Sequence, residues 1–218
     1  MKLNNELLRF ASPSAEGLVR FDMARAAALK ADLAMLEGTG GTQIKGAITY
    51  SGITTHVAAT VGDNGNTFTP ADVASMESKL PDAVDAPTAW VMRKAMFAAL
   101  MNRRADAVSA ADGKGAFLFR NTDAASGPPA ELYGTKVVRS SQVSATRSKG
   151  SGNNLTYILL GHFPDWVVAR MGVMEFLASG LGDTALQNDM TYLRGIQHID
   201  AGPRQQASFV LCDSLLVA

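Results

Sequence analysis

Apolar side chains recur along one face of residues 16–37, at the spacing of an α-helix. Alanines fill the stripe between five larger residues: Leu18, Phe21, Leu29, Leu33 and Leu36. The pattern predicts a long amphipathic helix, which at about 1.5 Å per residue spans roughly 33 Å. Ser12, followed by Pro13, can cap its start, and Gly38 stands where a left-handed C-cap belongs.

Shorter helices and separated strands follow. Thr69 and Asp72 form a capping-box pattern that begins a second helix, and a third helix is predicted over residues 94–104. Strands are predicted at residues 47–50, 54–61, 88–92, 116–119, 136–138, 155–160, 166–171, 190–200 and 207–212, with a turn at 64–66 and surface loops at 126–129 and 148–152. One long helix, two shorter helices and many strands together predict the α+β class.

The composition and charge of the chain exclude several classes of protein. With 218 residues, of which 47% are hydrophobic and 18% charged, it can bury a real core in one or two domains. Its 20 basic and 20 acidic side chains cancel, whereas proteins that hold nucleic acid by the phosphates need a basic surplus. No stretch approaches the roughly 18 apolar residues of a membrane span, and the first residues do not read as a signal peptide.

Candidate chemistry is sparse along the sequence. Cys212 is the single cysteine, so we expect a buried small hydrophobe and neither an internal disulfide nor a zinc site. His56, His162 and His198 lie far apart, without the spacing of metal ligands. Glycines in residues 38–46 follow a helix instead of preceding one, so they do not form a phosphate-binding loop. The sequence predicts no catalytic, cofactor-binding or metal-binding residue, and no cofactor.

Two polar patterns leave alternatives open. His198 and Asp200 share one face of a strand, which is typical of a solvated face and could also orient an imidazole in a small hydrolase. Arg147 and Lys149 form a small basic loop that could contact a neighbour or nucleic acid. We expect it to be a flexible solvated tip. The lack of convergent polar groups favours a protein that works through its shape and is not an enzyme.

A series of short motifs falls in a recognisable order along essentially all 218 residues. The motifs are Asn5-Glu6-Leu7-Leu8, Leu36-Glu37-Gly38-Thr39-Gly40 with Gln43 and Gly46, Trp90-Val91-Met92, Leu132-Tyr133-Gly134-Thr135-Lys136-Val137, Gly161-His162-Phe163, and the closing segments 194–200 and 207–210. In order and spacing they resemble the tailed-phage major capsid protein family with the Hong Kong 97-type fold. The departures are Ile44 and Lys136 where prolines are usual, Arg93-Lys94 in place of Asn-Pro, and His162 in place of an aspartate.

The resemblance implies a structural subunit of a phage or prophage head. Its long helix would be the spine helix, residues 1–48 and 186–218 would form the peripheral domain, and residues 49–185 would form the axial domain. The implied partners are copies of itself in pentamers and hexamers, together with scaffold, portal and head protease. Packaged DNA would be contacted only non-specifically, and no membrane is involved. The expected location is the virion, after assembly in the host cytoplasm.

Relatives in that family carry an N-terminal arm and an extended loop ahead of the spine helix. This sequence begins almost at the helix, so the resemblance predicts a truncated member without the lysine of the covalent crosslinks found in some relatives. We therefore expect a folded monomer or small oligomer. An encapsulin-like shell subunit, which shares the fold and packs enzyme cargo, is the alternative.

Overall fold

A computed structural model of the protein describes residues 1–10, 15–84, 86–101, 131–181, 185 and 187–217. The described helices are α1 (Asn5–Phe10), α2 (Ala15–Glu37), α3 (Pro70–Ser78) and α4 (Lys94–Met101). The described strands are β1 (Lys2–Asn4), β2 (Thr54–His56), β3 (Ala89–Met92), β4 (Glu131–Leu132), β5 (Thr135–Arg139), β6 (Arg147–Lys149), β7 (Gly152–Gly161), β8 (Trp166–Ser179), β9 (Met190–Pro203) and β10 (Phe209–Leu215). The expected Ser12 cap, the strand at 116–119 and the loop at 126–129 lie outside the described residues.

A three-stranded antiparallel sheet in the order β1-β9-β8 lies beside the long helix α2. Strands β8 and β9 pair from Trp166 opposite Pro203 to Ser179 opposite Tyr192. A Cβ atom placed on Gly195 would lie 2.7 Å from Cε of Met174 and 3.4 Å from Cε of Met23 in α2. The side chains of Met174 and Met23 therefore pack over Gly195, between α2 and the sheet.

A seven-stranded sheet holds the main core. Its order is β2-β10-β7-β3-β5-β4, with β6 paired to β7 off this path. Both faces of the central strands are buried: Trp90 and Leu160 belong to the cluster covered by α3 and α4, whereas Val91 and Leu159 belong to a second cluster. This two-sided burial explains why β7 is a continuous apolar run and does not alternate with polar residues.

The locally encoded elements are confirmed. The long helix begins one residue earlier than its pattern predicts and ends at Glu37. Helix α3 begins directly after Thr69, whose backbone N–H donates to the Asp72 carboxylate at 2.6 Å, as the capping-box pattern predicts. The predicted third helix is described as far as Met101.

Three local predictions are wrong. Gly38 does not adopt a left-handed conformation, because its place is set by close packing: a Cβ atom there would lie 2.0 Å from the Ile44 carbonyl oxygen. Residues 47–50 are not a strand, since a 3₁₀ turn over Ala47–Thr49 buries Ala47. The strand predicted at 54–61 ends at His56, because the amide of Ala59 leaves the ladder and donates to the Asp72 side chain.

The strand pairing crosses the expected domain boundaries. Strand β8 lies in the segment expected to be axial, yet its partner β9 lies in the segment expected to be peripheral. Strand β10, which also lies in a segment expected to be peripheral, pairs with β2 and β7 in the seven-stranded sheet. The division of the chain into peripheral and axial domains stays a prediction.

Candidate assembly surface

Helix α2 leaves much of its apolar stripe exposed to solvent. Along this helix, all of which is described, no side chain is buried. Phe21 is 66% exposed and Leu18 is 62% exposed, although both belong to the stripe that predicted an amphipathic helix. A surface helix normally buries such a stripe against its own core, so the exposed part of the stripe, formed by Leu18, Phe21 and Leu29, is a candidate interaction surface.

Further exposed apolar side chains lie on two other elements, α1 and β8. Phe10, at the end of α1, is 85% exposed, and Met171 in β8 is 79% exposed. Within the described residues, β8 is an edge strand whose outer side pairs with no other strand. Long exposed edges and contiguous apolar patches mark sites of protein association. We refer to the exposed apolar side chains of α1, α2 and β8 together as the assembly surface.

An open groove lies between the C-terminal half of α2 and the seven-stranded sheet. Its volume is about 260 Å³. Its lining is almost entirely apolar and includes Met35, Leu36, Val138, Leu159 and Trp166, with Asp32 as the charged residue. The groove is therefore suited to an apolar side chain that has a positively charged residue next to it.

A set of hydrogen bonds fixes α2 to the seven-stranded sheet. The carboxylate of Glu37, the last residue of the helix, accepts from the Ser144 amide at 2.7 Å. The Thr49 hydroxyl donates to the Gly38 carbonyl at 2.8 Å, and the Gly46 amide donates to the same carbonyl at the same distance. These hydrogen bonds join the C-terminal end of α2 to the loop that follows it and to the segment after β5.

A buried histidine–aspartate pair lies in the core and was not predicted. His56 Nε2 lies 2.8 Å from Oδ1 of Asp72, and the aspartate is fully buried. Burial alone would raise the pKa of Asp72, but hydrogen bonds from Thr69, His56 and the Ala59 amide outweigh it and lower the pKa. The capping box predicts a role for Asp72 in the sequence, whereas no local pattern connects this helix residue to His56 in β2.

The thiol of Cys212 lies close to this pair in the fold. Cys212 is opposite His56 in the parallel pairing of β10 and β2, and it is fully buried, as the sequence predicts. Burial, together with the nearby Asp72 carboxylate, raises its pKa to about 12. A thiol that is protonated at neutral pH is a poor nucleophile. All three side chains are buried and contribute to the packing of the core.

Of the other two histidines, His162 is half-buried and His198 is exposed. His162 Nδ1 lies 3.1 Å from the carbonyl of Ala86. His198 and Asp200 lie in an open depression between β8 and β9. Among the described residues, the lining of this depression is Ala169, Arg170, Met171, Gln197, His198, Ile199 and Asp200, which includes no serine.

The basic pair at residues 147–149 is not a flexible solvated tip. The guanidinium of Arg147 donates to both carboxylate oxygens of Asp213, and Lys149 Nζ donates to Asn66 Oδ1 at 2.7 Å. Both residues belong to β6, and the predicted loop is only a tight turn before β7. The prediction failed because both anchoring groups are distant in sequence.

The described part of the chain holds neither a cluster of metal ligands nor a membrane-spanning helix. Its histidine, cysteine and acidic side chains include no group of three that could hold a metal ion. Its helices include none that is long and apolar enough to cross a membrane.

Comparisons with known proteins point in one direction. A family model described as the phage capsid family matches residues 1–214. No curated protein sequence matches the chain. A capsid structure of an empty GTA particle has a TM-score of 0.77 at 17% identity, and the match covers 99% of this chain and 71% of that chain.

Two further solved structures share the fold at low identity. A structure from Gordonia phage Cozz has a TM-score of 0.69 at 13% identity, covering 98% of this chain and 67% of that chain. The encapsulin complex from Synechococcus elongatus has a TM-score of 0.67 at 11% identity, covering 100% of this chain and 72% of that chain.

Proposed function

Because this chain belongs to the phage capsid family, we propose that it functions by self-association, as the repeating subunit from which a phage head is built. The chain is a major capsid subunit with the expected α+β, Hong Kong 97-like fold. Its place is the virion, and its role is structural.

The assembly surface is the observation that carries this proposal. Fully burying one large apolar side chain is worth roughly 1.5–3 kcal/mol, and the isolated chain leaves several of them exposed on α1, α2 and β8. Copies of the chain that cover this surface gain that free energy at every repeated contact. Closed symmetry then multiplies modest interfaces into a stable shell.

A purely structural role accounts for the lack of reactive geometry in the described residues. His56 and Asp72 form a hydrogen bond with each other inside the core, and the Cys212 thiol is buried with a raised pKa. His198 and Asp200 lie on an exposed strand face without a nucleophile beside them. We therefore propose that the chain catalyses no reaction.

The two sheets suggest how the subunit is divided into a peripheral and an axial part. We propose that α2 with the three-stranded sheet forms the peripheral part, and that the seven-stranded sheet with α3 and α4 forms the axial part. This proposal assigns β8 to the peripheral part and β10 to the axial part, and the pairing of β8 with β9 and of β10 with β7 supports it. Pentamers and hexamers would form around the axial part.

Further partners of the assembled head are proposed on the family alone. They are a scaffold, a portal and a head protease, met in the host cytoplasm before the shell closes. Contact with packaged DNA would be non-specific, in keeping with the balance of 20 basic against 20 acidic side chains.

An encapsulin-like shell is the second candidate. The likeness to the Synechococcus elongatus encapsulin favours it, at a TM-score below that of the GTA capsid. Purification from the native host separates the two proposals. Portal and other head components bound to the chain support the phage head, whereas a stoichiometric enzyme enclosed in the particle supports the encapsulin.

Multi-angle light scattering across a concentration series tests self-association. We expect the mass to rise above the 23.0 kDa of one chain as concentration increases. Phe21→Ser should lower the mass at each concentration, whereas Lys30→Ser, a polar change on the same helix, should not. A wild-type mass that stays at one chain throughout would overturn the proposal.

A further inference from the structure

The groove between α2 and the seven-stranded sheet has room for one aromatic ring. Its volume is about 260 Å³, and a cavity of about 150 Å³ is enough to bind benzene. Met35, Leu36 and Trp166 contribute to its apolar lining. Asp32 adds an exposed carboxylate, which would favour a cation beside the ring.

The end of α1 carries a group with the complementary chemistry. Phe10 is 85% exposed, and the preceding residue is Arg9, also exposed. Within the described parts of the chain, neither Arg9 nor Asp32 takes part in an ion pair. Aromatic anchors that enter apolar pockets, with a charge pair at the rim, are typical of strong protein contacts.

Phe10 is too far away to fill the groove of its own subunit. Asn4, directly before α1, lies opposite Met190 at one end of the three-stranded sheet, whereas Trp166 in the groove lies opposite Pro203 at the other end. The stretch of β9 between those ends is about 43 Å long at about 3.3 Å per residue. Helix α1 has six residues and extends only about 9 Å.

We propose that the groove of each subunit receives Phe10 of a second copy of the chain, with that copy's Arg9 beside Asp32. This inference rests on the proposed function, and it names one contact by which the subunits associate. Because the donor and the groove lie at opposite ends of the same subunit, the contact is head-to-tail. Repeated head-to-tail contacts close into rings when the rotation between subunits permits it, as pentamers and hexamers require.

Site-directed crosslinking tests the contact in the full chain. Phe10→Cys and Met35→Cys are made as separate proteins and mixed under oxidising conditions. We expect a disulfide-linked heterodimer on a non-reducing gel, because a disulfide requires Cα atoms within about 7 Å. The buried Cys212 should not react. Met171→Cys mixed with Met35→Cys is the matched control, since Met171 is also highly exposed and follows Arg170.

A charge reversal tests the same contact without a crosslink. Arg9→Glu and Asp32→Lys should each weaken self-association measured by light scattering at least tenfold, and the double variant should recover most of the loss. Both residues are exposed, so folding should be unchanged.

The outcomes separate this contact from the proposed function. A wild-type chain that associates, but shows no crosslink between positions 10 and 35 and no rescue in the double variant, overturns the Phe10 contact and leaves self-assembly standing. Crosslinking of position 171 in place of position 10 would assign the groove to β8 instead. A wild-type chain that does not associate at any concentration overturns both.

Discussion

Removal of the Asp72 carboxylate should strongly destabilise the subunit. This carboxylate is fully buried and accepts four hydrogen bonds. The donors are His56 Nε2 at 2.8 Å, the Ala59 amide at 2.7 Å, the Thr69 amide at 2.6 Å and the Thr69 hydroxyl at 2.7 Å. One side chain thus joins β2, the segment after it and the start of α3.

The magnitude follows from what the substitution leaves behind. Asp72→Ala leaves the buried imidazole of His56 and the partly buried amides of Ala59 and Thr69 without their acceptor, and an unsatisfied buried donor costs about 1–3 kcal/mol. Part of that cost is offset, because the carboxylate itself no longer has to be desolvated. We expect the free energy of unfolding to fall by about 3–5 kcal/mol, a large share of the roughly 5–15 kcal/mol of a typical domain.

Urea unfolding followed by tryptophan fluorescence measures this loss, since Trp90 is buried in the same core cluster as the start of α3. Glu77→Ala is the matched control, because Glu77 is an exposed carboxylate on the same helix and should change stability by less than about 0.5 kcal/mol. A loss below about 1 kcal/mol for Asp72→Ala, or a loss equal to that of the control, would refute the reasoning.

The same carboxylate predicts the direction of a pH effect. Its pKa in the folded chain lies below the ordinary value of 3.8, so the ionised form is the one that folding favours. Its contribution to stability is therefore complete at neutral pH and is lost as the pH falls below that value toward the folded pKa. The stability gap between wild type and Asp72→Asn should narrow over that range. A gap that widens on acidification would contradict the assignment.

Four further predictions concern other parts of the molecule. Gly38→Ala should destabilise the chain by about 2–4 kcal/mol in urea unfolding, because its Cβ would meet the backbone of the following loop at 2.0 Å. Phe21→Ser should leave urea unfolding of the monomer within about 0.5 kcal/mol of wild type while reducing particle mass in light scattering. Arg147→Ala should cost about 1–2 kcal/mol by the same unfolding assay, because it leaves the Asp213 carboxylate unpaired. Cys212 should resist an aromatic disulfide reagent at pH 8 and react only after unfolding, since burial raises its pKa to about 12.

Elements encoded by neighbouring residues could be predicted from the sequence. Helix α2 followed from its apolar period, and α3 followed from Thr69 and Asp72 at the capping-box spacing. The apolar run of β7 gave a strand directly. These signals act within a few residues, so they need no knowledge of the fold.

Contacts between distant residues could not be predicted in this way. His56 and Asp72 lie 16 residues apart, and Arg147 lies 66 residues from Asp213, so only the folded chain brings each pair together. Gly38 has the sequence position of a left-handed cap. In the fold, however, the backbone of Ile44 packs directly against it and leaves no room for a side chain.

The assembly surface could not be predicted from the sequence for a different reason. The stripe on α2 has the same pattern whether its partner is the chain's own core or another copy. Only the structure reveals that Leu18, Phe21 and Leu29 stay exposed in the single chain. The family resemblance supplied the expectation of a shell, and the exposure of this stripe indicates where copies can meet.

Cryo-electron microscopy of the purified chain at high concentration tests most directly whether function resides in repeated contacts. The account predicts small ordered oligomers, in which class averages contain rings of subunits related by fivefold or sixfold rotation. Fields that contain only separate single chains or irregular aggregates at every concentration would contradict it.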